Sequence, residues 1–251
     1  MRVFSRLLRA TPTPLLIFSA ISFAAAFFAV RFPDVPGASA GSYVSSLLLS
    51  LPALVALWAH LGPRRAAAAA LAVSAFAYAI ESVGVATGFP YGPFSYGEAL
   101  GPKLFGLVPY LLPITYVPLV IGAVAAAWGP RRLAPRVAIA ALLLVLTDGV
   151  LDPGATALGF WTWTEGGPYY GVPLVNSAGW LLSGAVSAAL LLSIGRAHAT
   201  PPPGALDSAT LSLAFWTSAA VFSGLAFPAA LGLALFVLSL ARRARLKAVS
   251  K

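Results

Sequence analysis

The chain has no cysteine, one methionine and two histidines in 251 residues. The missing thiols exclude disulfides, thiolate metal sites and cysteine nucleophiles. The two histidines, His60 and His198, fall near the ends of hydrophobic runs. They are too few for a multi-histidine iron site of the membrane desaturase type. Charge is scarce as well. Only 9% of residues are charged, where a soluble domain carries about a quarter. Acids are scarcest, seven against sixteen lysines and arginines.

What fills the space is hydrophobic: 59% of the residues, with a mean hydropathy of +0.88. This composition predicts an all-α, polytopic transmembrane helix bundle, with residues 1–251 as a single integral membrane domain. Apolar runs at 14–30, 43–61, 66–87, 104–128, 136–158 and 174–194 are each near the roughly 20 residues that span a bilayer. Arg2, Arg6 and Arg9 ahead of the first run resemble a signal peptide. No small-residue cleavage site after it is convincing and further apolar runs follow, so a start-anchor helix is the better reading.

The segment 207–246 reads either as one long helix or as two broken around Ser223-Gly224-Leu225-Ala226-Phe227-Pro228. Loop charge decides between them. With a cytoplasmic N-terminus, every basic residue except Arg31 and Lys103 falls on the inner side if the count of spans is even. The reading is therefore about eight spans, the last two short, with both termini cytoplasmic. The net charge of +9 then sets topology and is no evidence for a nucleic-acid partner.

The stretch 147–176 departs most from this background. Asp148 and Asp152 stand four residues apart inside an apolar run, on one helix face. Pro153 is expected to break the helix before a segment dense in Trp, Tyr, Gly and Pro. Helical rise places Glu81 about 22 Å up its helix, and Asp148 and Asp152 roughly 18 and 24 Å up theirs. In a hydrocarbon core about 30 Å thick, the three acids share one outer layer. Asp34, Glu98, Glu165 and Asp207 fall in predicted loops.

A buried acid either bonds a nearby Tyr, Trp or backbone group, or, for Asp152, caps a broken helix. Three acids at one depth favour function, since each is expensive in a bilayer. A carboxylic acid kept neutral in an apolar pocket is a general acid.

The loops 88–103 and 159–173 are expected on the same outer side. They share a weak repeat: Glu81 precedes Gly88-Phe89 and Asp152 precedes Gly159-Phe160 by equal spacing, and each loop carries a Pro-Tyr-Gly-like motif. Their aromatics, Tyr91, Phe94, Tyr96, Trp161, Trp163, Tyr169 and Tyr170, form either an interfacial belt or a π-lined pocket able to stabilise a cation. Lys103 runs against the charge bias and pairs with Glu98 or with a deep acid. Asn176 caps its helix or orients a water, capping being the ordinary role.

These residues resemble the CruF family of carotenoid hydratases. The resemblance rests on Glu81, on Gly88-Phe89-Pro90-Tyr91-Gly92-Pro93-Phe94-Ser95-Tyr96 and on Leu100-Gly101-Pro102-Lys103-Leu104. It extends through Leu151-Asp152-Pro153, Gly159-Phe160-Trp161-Thr162-Trp163, Tyr169-Tyr170-Gly171-Val172-Pro173-Leu174-Val175-Asn176 and Gly179-Trp180. The motifs cover residues 66–180. The resemblance implies a cofactor-independent hydro-lyase of the cell membrane that draws its carotenoid from the bilayer, adjoining other carotenoid-pathway membrane enzymes. Water would add across the terminal 1,2 double bond of an acyclic ψ-end of γ-carotene, lycopene or C50 type. On this view Asp152 or Asp148 donates the proton, and Glu81 tunes the donor or activates water. Tyr91, Trp161 and Tyr170 shield the cation, Asn176 holds the water, and Tyr96, Lys103, Trp163 and Tyr169 complete the substrate site. No metal is required. A carotenoid cyclase or isomerase, or a transporter or lipid-binding membrane protein, are the competing readings.

Overall fold

The computed structural model describes residues 7, 9–33, 37–195 and 198–250. Arg2, Arg6, Asp34, Arg196 and Lys251, used in the charge argument, lie outside the described residues. Among the described residues, eight helices form an all-α bundle: α1 (Thr13–Arg31), α2 (Ala38–Leu61), α3 (Pro63–Thr87), α4 (Leu112–Ala126), α5 (Leu133–Ala157), α6 (Leu174–Ile194), α7 (Asp207–Phe222) and α8 (Ala226–Val249). Seven are long and apolar enough to cross a membrane, α7 when counted from the 3-10 turn Pro203–Leu206. α4 is shorter.

Three expectations need correction. The run 104–128 is not one helix. Its first residues form a hairpin of β2 (Lys103–Leu104) and β3 (Val108–Pro109), turning through Phe105 and Gly106, both at positive φ. Pro113 in the first turn then starts α4, as proline's fixed φ favours. The last helix is not short. It runs 24 residues to Val249, and Arg242, Arg243, Arg245 and Lys247 in its final turns suit the negative end of the helix dipole. Nor does Pro153 break α5, which continues to Ala157.

Proline inside a helix removes an N–H and leaves the carbonyl four residues back without its donor. Here hydroxyls supply the missing donors. Tyr169 Oη donates to Gly149 O at 2.6 Å, four residues before Pro153. Ser50 Oγ donates to Ile114 O, four residues before Pro118. In an apolar medium such replacement is what makes an interior proline tolerable.

α4 is the centre of the bundle, with Tyr116 through Ala125 all buried. It packs against α2, α3, α5, α6 and α7, while α1 lies outside on α7. Exposed Ile17, Phe18, Ile21, Leu48, Val55 and Trp58 line the outward faces of α1 and α2, as expected of lipid-facing helices.

One end of the bundle is closed by the two aromatic loops, which pair with each other. β1 (Phe94–Tyr96) runs antiparallel to β4 (Trp161–Trp163), with Phe94 opposite Trp163 and Tyr96 opposite Trp161. The loops thus lie on one side of the bundle. The repeat is not collinear, however: Pro90-Tyr91-Gly92 precedes its strand, whereas Pro168-Tyr169-Tyr170-Gly171 follows its own.

Candidate active site

Asp148 and Asp152 sit one turn apart on α5, both buried, facing α6. Asn176, in the first turn of α6 and also buried, reaches both. Its Nδ2 donates to Asp148 Oδ2 at 3.0 Å and to Asp152 Oδ2 at 2.5 Å. Trp161 Nε1, on β4, donates to Asp152 Oδ1 at 3.1 Å. Asp148 Oδ1 has no N–H or O–H donor among the described residues, but the two carboxyls face each other within side-chain hydrogen-bonding reach. Only a proton between them can complete that contact, because ionised carboxylates offer acceptors alone. The capping role expected for Asn176 is not observed: the N-cap of α6 is Pro173, and no side chain caps the helix.

Glu81, half-buried on α3, comes from the other side. It accepts from Tyr96 Oη at 2.8 Å and touches the Tyr91 hydroxyl, with Asp152 near enough to act on it electrostatically. The three acids therefore share one layer. Burial, and after it the Glu81 carboxyl, push the phenols of Tyr96 and Tyr91 well above their ordinary value, so both remain donors.

Tyr91 reaches this position through close backbone approach. A Cβ on Gly179 of α6 would lie 2.5 Å from Tyr91 Cδ1 and 2.8 Å from Pro90 O; one on Gly84 of α3 would lie 2.8 Å from Tyr91 Cδ2. The ring is held between two glycines. Trp163 Nε1 fixes the same segment by donating to Tyr91 O at 3.1 Å.

Three residues of this network were not singled out from sequence. Ser183 contacts the hydroxyls of both Tyr91 and Tyr116, and Tyr116 Oη lies 2.9 Å from Ser187 Oγ. A hydroxyl chain thus leads from Glu81 into the bundle. The signal was present: Asn176, Ser183 and Ser187 fall at helical spacing on one face of α6.

Other candidates stand outside the acid layer. Lys103 Nζ pairs with Glu98 Oε1 at 2.7 Å and donates to Tyr96 O at 2.8 Å, so it braces Tyr96 and does not meet a deep acid. Tyr169 serves Gly149. Tyr170, at positive φ and 41% exposed, packs edge-on against Tyr169. Among the described residues, no three His, Cys, Asp or Glu side chains are grouped to hold a metal ion.

Comparison with known proteins adds to this geometry. A family model described as "Carotenoid biosynthesis protein" matches residues 41–239. A bisanhydrobacterioruberin hydratase of Haloarcula japonica is 45% identical over 155 residues, which is 60% of this chain and 52% of that relative. The chain thus spans about half the length of the curated relative it matches. No solved structure matches it.

Proposed function

Since the chain belongs to the carotenoid biosynthesis protein family, we propose that it is a membrane carotenoid hydratase, adding water to the terminal double bond of an acyclic ψ-end group. The observation that carries this reading is the Asp148–Asp152 pair, bound by Asn176 and Trp161 inside an apolar bundle. The name of the Haloarcula relative supports hydration over other end-group reactions.

The chemistry follows from the alkene. The π pair of C1=C2 takes a proton at C2, which leaves a tertiary cation at C1. Water bonds to C1 through oxygen and sheds a proton, so the product gains one water and the enzyme recovers its protonation state. The carboxyl pair supplies the first proton, with Asn176 and Trp161 fixing its oxygens. Glu81, on the opposite side, receives the proton shed by water and returns it to the neighbouring Asp152, which restores the donor pair for the next turnover. Tyr96 and Tyr91 orient Glu81, and the faces of Tyr91 and Trp161 border the developing cation. The hydroxyl chain through Ser183, Tyr116 and Ser187 holds Tyr91 in register.

The acid layer lies toward the aromatic-capped end of the bundle. The loop arginines, following the positive-inside bias, put that end on the outer face of the cell membrane and both termini in the cytoplasm. The carotenoid enters from the bilayer with its end group against the acids.

Co-expression with a γ-carotene, lycopene or C50 pathway, followed by pigment mass spectrometry, tests the reading. A gain of one water per reacted end, with an unchanged polyene spectrum, is expected. A shifted spectrum at constant mass would replace hydration with cyclisation or isomerisation. Unaltered pigment on all three substrates would end the hydratase proposal.

A further inference from the structure

At the end of the bundle away from the acids, the C-terminus of α4, the start of α5 and the last turns of α8 enclose a cavity of about 390 Å³. Its walls divide by chemistry. Ile139, Leu143 and Leu238 are apolar, and Ile139 and Leu238 are each about 40% exposed on the outer surface of the bundle. Trp128, Arg242 and Arg245 also line it, and among the described residues no acidic one does.

Arg242 is only partly satisfied. One terminal nitrogen donates to the Trp128 carbonyl just past α4, while its Nε is buried with no hydrogen-bond partner among the described residues. Arg245 is exposed at the cavity, and exposed Arg131 and Arg132 follow the lining residue Pro130 in the adjoining loop. A buried guanidinium donor without an acceptor is costly, and the cavity beside it opens onto an apolar surface.

We propose that this cavity binds the phosphodiester head of an anionic phospholipid, with Arg242 and Arg245 on the phosphate and one acyl chain along Ile139, Leu143 and Leu238. A carotenoid hydrocarbon offers no acceptor to the guanidinium groups. A soluble phosphate would leave the apolar wall unused. A zwitterionic head brings an ammonium for which the lining has no acid. Basic pockets between membrane helices recognise anionic head groups by this combination.

The test uses the full chain purified in a neutral detergent and titrated separately with phosphatidylglycerol, phosphatidylcholine and inorganic phosphate. Bound lipid is read by native mass spectrometry and stability by thermal unfolding. Phosphatidylglycerol should bind and raise the unfolding temperature, with phosphatidylcholine and phosphate ineffective at the same concentrations. Arg245→Gln, at a residue that makes no hydrogen bond or ion pair among the described residues, should weaken phosphatidylglycerol about five-fold without lowering the unfolding temperature in lipid-free detergent. Leu238→Ser should weaken the lipid as well. Equal binding by Arg245→Gln and wild type, or equal binding of the two lipids, overturns the proposal. A shift reproduced by phosphate alone assigns the cavity to a soluble anion and overturns it too.

Discussion

Asp152 accepts from Asn176 and Trp161, and Asp148 from Asn176. Replacing either acid by asparagine keeps the volume but removes the transferable proton. Asp152→Asn and Asp148→Asn should each lower hydration at least about 100-fold, the ordinary scale of a lost general acid. Hydroxylated pigment per unit of membrane protein measures this, and an unchanged gel-filtration profile in detergent shows that folding survives. Activity retained in both variants would remove the pair from the mechanism. Gly179 tests the neighbouring tyrosine. A methyl there meets Tyr91 and the Pro90 carbonyl, and backbone cannot yield as a side-chain tip can. Gly179→Ala should destabilise the protein by about 1–3 kcal/mol and reduce hydration, whereas Gly41→Ala in α2, with open space around its Cβ position and no positive φ, should leave hydration unchanged.

At the scale of the element, α5 carries the acids past an interior proline because Tyr169 replaces the lost donor. Tyr169→Phe leaves Gly149 O without that hydroxyl and should destabilise the bundle by about 1 kcal/mol, seen in thermal unfolding. Burial, and then the neighbouring Tyr170, push the Tyr169 phenol up to about 12 from an ordinary 10.0. The neutral form is thus the one favoured by folding. Its contribution is fully present below about pH 10 and is lost as pH rises through about 12. A phenolate absorbance titration should show one late-titrating tyrosine fewer in Tyr169→Phe. A loss of stability on acidification at this residue would contradict the assignment.

At the scale of the whole molecule, the eight helices of the described residues, with paired loops at one end, predict both termini on one side of the membrane. Reporter fusions at each terminus should label from the cytoplasm, and tags in the loop at 164–167 from the outside. Opposite labelling of the two ends would break the eight-span topology. The arginine-lined cavity and the acid layer lie toward opposite ends of α5, so lipid-site variants should alter only the stability gained from added lipid and not which pigment bond is hydrated.

Hydropathy determined the all-α bundle and most helix limits, since a bilayer demands long apolar helices whatever their packing. The 174–194 run matches α6 to the residue. Sequence also marked Glu81, Asp148 and Asp152, because acids are so rare here that each stands out. Only tertiary structure decided their partners. Position in the sequence offered Asn176 a cap or a water to orient, while packing of α6 on α5 turned it onto two carboxyls from 24 and 28 residues earlier. The Ser183–Tyr116 link was equally unreadable, since serine and tyrosine in a helix are ordinary until two helices meet. The persistence of α5 through Pro153 depended on a hydroxyl 20 residues away. Composition fixes which medium a chain must live in, but hydrogen bonds between distant residues exist only once packing has brought them together.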